Sequence, residues 1–230
     1  MSELGELLEL IHNAHARVST FEAEYRDWIN PRPSLELSLE RSELGEAEIQ
    51  WHGAGPFPKP HVATRRIWLR APRCVRIEIE DDEQLVRLGV RDGSRWLRWD
   101  RVDGVTVGDI PGLSDGGRAG APPLLAPPLI QPAQLLAALW FEPRGKDARA
   151  GRQILAARAR PRHPLSSADG LGYDFEFDAE HGTILHRTTL DGGVPIRATE
   201  VLHVRYGHSI DPARFELVAP DGPASPVEGV

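Results

Sequence analysis

The chain has 230 residues, is 40% apolar and 27% charged, and carries a formal net charge of −7. Its length allows roughly 70 to 75% of the unfolded surface to be buried, enough for one large β domain. The acidic balance, with no basic stripe to offset it, excludes sequence-independent nucleic-acid binding, and no apolar run reaches the roughly 18 residues that a membrane-spanning helix needs.

Met1 leads directly into Ser2-Glu3-Leu4-Gly5-Glu6, without the basic and apolar regions of a secretory signal, so a cytoplasmic location is expected. The lone Cys74 has no partner for an internal disulfide. From Leu4 to Val18 the apolar residues Leu4, Leu7, Leu8, Ile11, Ala14 and Val18 form one stripe at helical spacing. That stripe predicts a helix with one buried face.

Past Pro31 and Pro33 the period becomes two, with Leu35, Leu37 and Leu39 reading as a half-buried strand and Ala47, Ile49 and Trp51 as the next. A Gly-Pro cluster from Gly53 to Pro60 marks a loop. Ile67 and Leu69 then share odd-numbered parity with Val75, Ile77 and Ile79, and turn signals at Asp81-Asp82 and Asp92-Gly93 bracket further strands up to Asp100. The result is an antiparallel meander of four or five strands.

The segment 108–132 is crowded with Gly and Pro and reads as a loop or lid, with Leu124, Leu125, Leu129 and Ile130 as its apolar contacts. Pro132 opens a short helix whose apolar edge is Leu135, Leu136, Leu139 and Trp140. Strands resume from Gln153 to Arg160, from Tyr173 to Phe177, from Thr183 to Leu190 and from Ile196 to Tyr206, with a hairpin loop at Asp178 to Gly182. One domain over 1–222 is expected, with 223–230 a flexible tail.

In order, these signatures resemble the LolA/LolB-like superfamily of lipoprotein carriers. The leading helix and its Ser-Phe-x-Ala-x-aromatic ending match Leu4 to Val18 and Thr20, Phe21, Ala23 and Tyr25, while the aromatic strand before a Pro matches Ile67, Trp68, Leu69 and Pro72. The Asp-Gly turn matches Asp92, Gly93, Trp96 and Trp99; the late hairpin matches Asp178 and Gly182, and the closing Ile-Asp-x-x-x-Phe matches Asp211 and Phe215. The resemblance implies a mainly β (α+β) fold: a strongly curved antiparallel sheet forming an unclosed β-barrel, covered by the N-terminal helix and a short central helix or loop lid. It also implies a binding or carrier protein that holds an apolar or amphipathic small ligand, such as a lipid or acyl chain, between sheet and lid. Two departures stand out: bacterial carriers place an Arg directly before the strand Pro, where this chain has Ala71, and they carry an export signal.

The ligand-facing residues implied are Leu8, Ile11, His15 and Val18 of the first helix, Ile67, Leu69, Val75 and Ile77 of the sheet, and Leu135 and Leu139 of the second helix. Periodicity shows burial rather than emptiness, so the same residues serve equally as a packed core. The alternative is a cofactor-free enzyme of natural-product biosynthesis that uses the same hollow, with His15, Tyr25, Glu24 and Arg70 as its polar groups. His12 and His15 lie three apart on the helix, but no third ligand falls at a zinc spacing, so neither a metal nor a cofactor is expected. A protein partner is a further possibility. By parity, Cys74 is expected to be exposed, and Arg65, Arg66, Arg70 and Arg73 are expected to form a solvated outer surface, with attraction of an anionic head group as the other reading.

Overall fold

A computed structural model describes residues 2–30, 60–109, 129–162 and 170–220. Both strands expected between Leu35 and Trp51, the loop from Gly53, most of the 108–132 segment and the C-terminal tail lie outside the described residues.

Helix α1 (Glu3–Arg17) begins where Ser2 accepts a hydrogen bond from the Gly5 amide at 3.2 Å, and its Leu7, Leu10, Ile11 and Ala14 are buried. Acidic Glu3 and Glu6 occupy its first turn and basic Arg17 its last, the favourable arrangement for the helix dipole. Eleven antiparallel strands follow: β1 (Thr20–Ile29), β2 (His61–Arg70), β3 (Cys74–Asp81), β4 (Gln84–Asp92), β5 (Arg95–Asp100), β6 (Gly104–Asp109), β7 (Leu139–Arg149), β8 (Arg152–Pro161), β9 (Leu171–Asp178), β10 (Ile184–Asp191) and β11 (Val194–Tyr206). Between β6 and β7 a 3₁₀ turn (Pro132–Gln134) runs into the short helix α2 (Leu135–Ala138).

All eleven strands belong to one sheet, in the order β6-β5-β4-β3-β2-β1-β11-β10-β9-β8-β7. It does not close, and among the described residues β6 and β7 are its two edges and β1 and β11 its central seam. The chain is thus an unclosed antiparallel barrel with helical cover, as the resemblance implies. The meander expected from Ile67 to Asp100 is β2 to β5, which β6 extends by one strand that the sequence reading lacks, and its odd-number parity holds, with Ile67 opposite Ile77 and Leu69 opposite Val75.

Two strands correct the sequence reading. Thr20 to Tyr25 is no helix ending but the first half of β1, with Phe21, Ala23, Tyr25 and Asp27 buried on one face. Leu139 and Trp140, expected on the second helix, open β7 instead, where a bulge between Pro143 and Gly145 interrupts the alternation.

The two faces of the sheet are buried by different parts of the chain. The inner face of β1, β2 and β7 to β11 packs against α1, Leu129 and Ile130 in one apolar cluster, joined by partly buried Leu135 and Leu136 of α2. On β4 to β6 the buried face is the opposite one, where Leu88, Val90, Leu97 and Trp99 lie against Leu217 and Ala219. Next to it, Phe215 is buried with Trp68 and Cys74. Cys74 is therefore covered, not exposed as expected, because the 3₁₀ turn Pro212–Phe215 folds over that side of β3.

Candidate functional site

The inner face is built in tiers. At the α1 end, Ile11, Val18, Ile67, Leu69, Val75 and Leu139 are buried together, with Leu8, Ile77 and Leu135 packed against them. Nine of the ten residues expected to face a ligand thus converge on one apolar cluster. His15, the tenth, is exposed, its Nδ1 3.0 Å from the His12 carbonyl oxygen.

Beyond Ile67 and Ile77 the same face turns polar. Register places Arg65 opposite Tyr25 and Ile79, Asp27 between Ala63 and Thr199, Arg187 on the far side of Thr199, and Arg197 between Ile29 and Thr189. Asp27 is 3% exposed, pairs with Arg65 and accepts a 2.6 Å hydrogen bond from Thr199 Oγ1. Among the described residues, no ion pair joins Arg187 or Arg197 to a carboxylate of its own. Five buried side-chain polar atoms lack a hydrogen-bond partner among the described residues, and three of them are the Nε atoms of Arg65, Arg187 and Arg197. Each such donor costs about 1–3 kcal/mol.

The electrostatics follow from this crowding. Burial pushes the Arg65 guanidinium below its ordinary range, Asp27 opposes the shift, and the positive field of Arg197 adds to it. Burial likewise lowers Arg187, reinforced by Arg197 and Arg65 and opposed by Asp27. Fully charged, the three guanidiniums exceed their one carboxylate by two, in a chain whose overall charge is −7.

Beside this tier runs a groove of about 320 Å³, floored by Ile77, Ile79 and Gly89 and flanked by Arg65, Arg87 and Arg98. Arg87 is held by Asp100 at 2.8 Å. The groove thus joins the apolar cluster at Ile77 to the arginine tier at Arg65.

Sequence reasoning misses this tier. Charge groups Arg65 with Arg66 as outer surface, yet Arg65 shares the odd parity of Ile67 and points inward. Arg66 and Arg70 do lie on the other face, Arg66 bonded to Glu24 at 3.0 Å and Glu80 at 2.6 Å, Arg70 to Cys74 Sγ at 3.3 Å. The four polar residues of the enzyme alternative are therefore dispersed: Tyr25 inside, Glu24 and Arg70 outside, His15 on the exposed side of α1.

A second polar group surrounds the late hairpin, where ligand atoms of Asp178, Glu180 and His181 lie within 4.8 Å of one another. Its contacts are already internal. Asp178 binds Arg152 and accepts from the Glu180 and His181 amides at 2.9 and 2.8 Å, while the His181 ring stacks on Tyr206 with centroids 3.7 Å apart. No helix among the described residues is long and apolar enough to cross a membrane.

No family model and no curated protein matches the chain. Solved structures do. The crystal structure of MucB aligns with a TM-score of 0.54 at 15% identity, over 92% of this chain and 62% of that one. The complex of Pseudomonas aeruginosa MucA/MucB gives 0.53 at 16% over 94% and 61%, so the chain spans less than two thirds of the MucB chains it matches. An uncharacterized conserved protein from Thermus thermophilus gives 0.54 at 8%, over 96% of this chain and 97% of its own. At such identities the likeness is one of fold, which this chain shares with MucB and with the Thermus protein.

Proposed function

We propose that the chain is a binding or carrier protein for an amphipathic small ligand with an acyl or similarly apolar portion, taken up along the inner face of the sheet. One observation carries this reading: among the described residues, α1 covers only part of the apolar inner face, and past Ile77 that face continues as a groove floored by Ile77, Ile79 and Gly89. Each buried ligand methylene contributes about 0.8 kcal/mol, so a chain of about ten to twelve carbons supplies about 8–10 kcal/mol against the ordering costs of binding. Binding of this kind needs no covalent step.

Titration with a fluorescent acyl probe, paired with native mass spectrometry of the purified protein, tests the reading. Saturable uptake that Ile79→Glu weakens about tenfold or more supports it, because a charge on the groove floor must be desolvated when a chain lies over it. Absence of both probe uptake and co-purified lipid overturns it.

A further inference from the structure

Beside the groove proposed to take the ligand, which Arg65 lines, we infer that Arg65, Arg187 and Arg197 form a receptor for an oxyanion, a phosphate, sulfate or carboxylate, carried as the head group of the bound amphiphile. The inference rests on the carrier reading only for the attached chain; the anion site stands on the arginines themselves.

Three observations point the same way. The three guanidiniums converge from β2, β10 and β11 around the single carboxylate of Asp27, which is already engaged by Arg65 and Thr199. Each keeps a buried Nε without a hydrogen-bond partner among the described residues, and guanidinium forks match the oxygen spacing of phosphate and carboxylate. The tier also adjoins the apolar groove through Arg65 and Ile79, so a head group seated there has a path for its chain.

Gathering like charges without their counter-ion is unfavourable, and a bound oxyanion relieves it. The strand partners of the three arginines are neutral, Tyr25 and Ile79 for Arg65, Phe175 and Thr199 for Arg187, Ile29 and Thr189 for Arg197. On the outer face of the sheet two arginines are doubly matched: Arg66 bridges Glu24 and Glu80, and Arg149 bridges Glu176 and Glu200. The inner tier stands apart from that pattern.

The test compares dodecyl phosphate with dodecanol, its neutral counterpart, by displacement of the fluorescent acyl probe at low salt. In parallel, inorganic phosphate alone is titrated in a thermal-shift assay. Dodecyl phosphate is expected to bind at least about tenfold more tightly than dodecanol, the factor that one charge-assisted hydrogen-bonded contact supplies. Arg187→Gln and Arg197→Gln should bring the ratio close to one while dodecanol affinity is retained, and Arg197→Lys should restore part of it. Circular dichroism verifies folding, and the Arg197 pair decides the matter if Arg187→Gln does not fold.

Equal affinity for both probes in the wild-type protein overturns the oxyanion site and leaves the carrier reading standing. Stabilisation by inorganic phosphate that Arg197→Gln abolishes, without uptake of either alkyl probe, upholds the site with a free oxyanion as its ligand and overturns the carrier reading. No response to any of the three compounds overturns both.

Discussion

Among single residues, Asp27 and Glu176 have the most at stake. Asp27 is the only carboxylate between Arg65, Arg187 and Arg197 among the described residues, so Asp27→Asn leaves three buried cations without a negative neighbour in the tier. Removing one partner of a buried pair costs about 3–5 kcal/mol. Urea denaturation of Asp27→Asn should show a loss of about 3 kcal/mol, whereas Arg187→Gln, which lowers the crowding of charge, should cost far less. On the outer face, burial pushes the Glu176 carboxyl up, but hydrogen bonds from His186 and Arg149 outweigh it and hold the group at about 2 against an ordinary 4.5. A depressed carboxyl stabilises the fold above its unfolded value and loses that contribution as pH falls through the folded one. Stability should therefore decline between pH 4.5 and about 2, and Glu176→Gln should flatten that decline in denaturation curves taken across the range.

At the level of elements, the junction between α1 and the late hairpin is a contact tight enough for a single methyl group to probe. Gly182 sits at φ +74°, and a Cβ there would lie 2.7 Å from the Leu10 carbonyl oxygen and 3.0 Å from Ala14 Cβ. Gly182→Ala should destabilise by about 2 kcal/mol or more, from left-handed strain plus forced separation of helix and hairpin, seen as a lowered thermal midpoint. The motifs behind the family resemblance find their physical reasons at this scale. Asp211 accepts from the Ala213 amide at 3.0 Å and caps the turn that buries Phe215, and Asp178 nucleates the hairpin that receives α1. The strands of the meander are legible in the sequence because one face of each is apolar and their turns carry Gly or Asp. β1 is not, since it follows α1 after only two residues, Val18 and Ser19, and its inward row ends in Asp27, a charge that periodicity assigns to solvent. β7 is hidden by its bulge, which breaks the alternation at Pro143. Arg65 escapes for a related reason: its charge argues for solvent, although parity alone places it beside Ile67 and Leu69.

For the molecule as a whole, fold and floor of the site can be read from sequence, while the polar tier cannot, because it depends on which strands become neighbours across the seam. Arg65 and Arg197 are separated by more than half the chain and meet only through the β1–β11 pairing. The division of the buried surface between two faces has a measurable outcome. Leu217 and Ala219 cover Leu88, Val90 and Trp99, so replacing Leu217 with Asp should loosen β4 to β6 selectively, with faster amide exchange there and unchanged protection in β8 to β11. Among the described residues the sheet has two borders that do not pair with each other, and so no hoop to keep its circumference fixed. Its flanks at β6 and β7 are fastened by separate clasps, the C-terminal turn on one side and α1 on the other, so releasing either clasp lets one wing swing while the opposite wing keeps its shape.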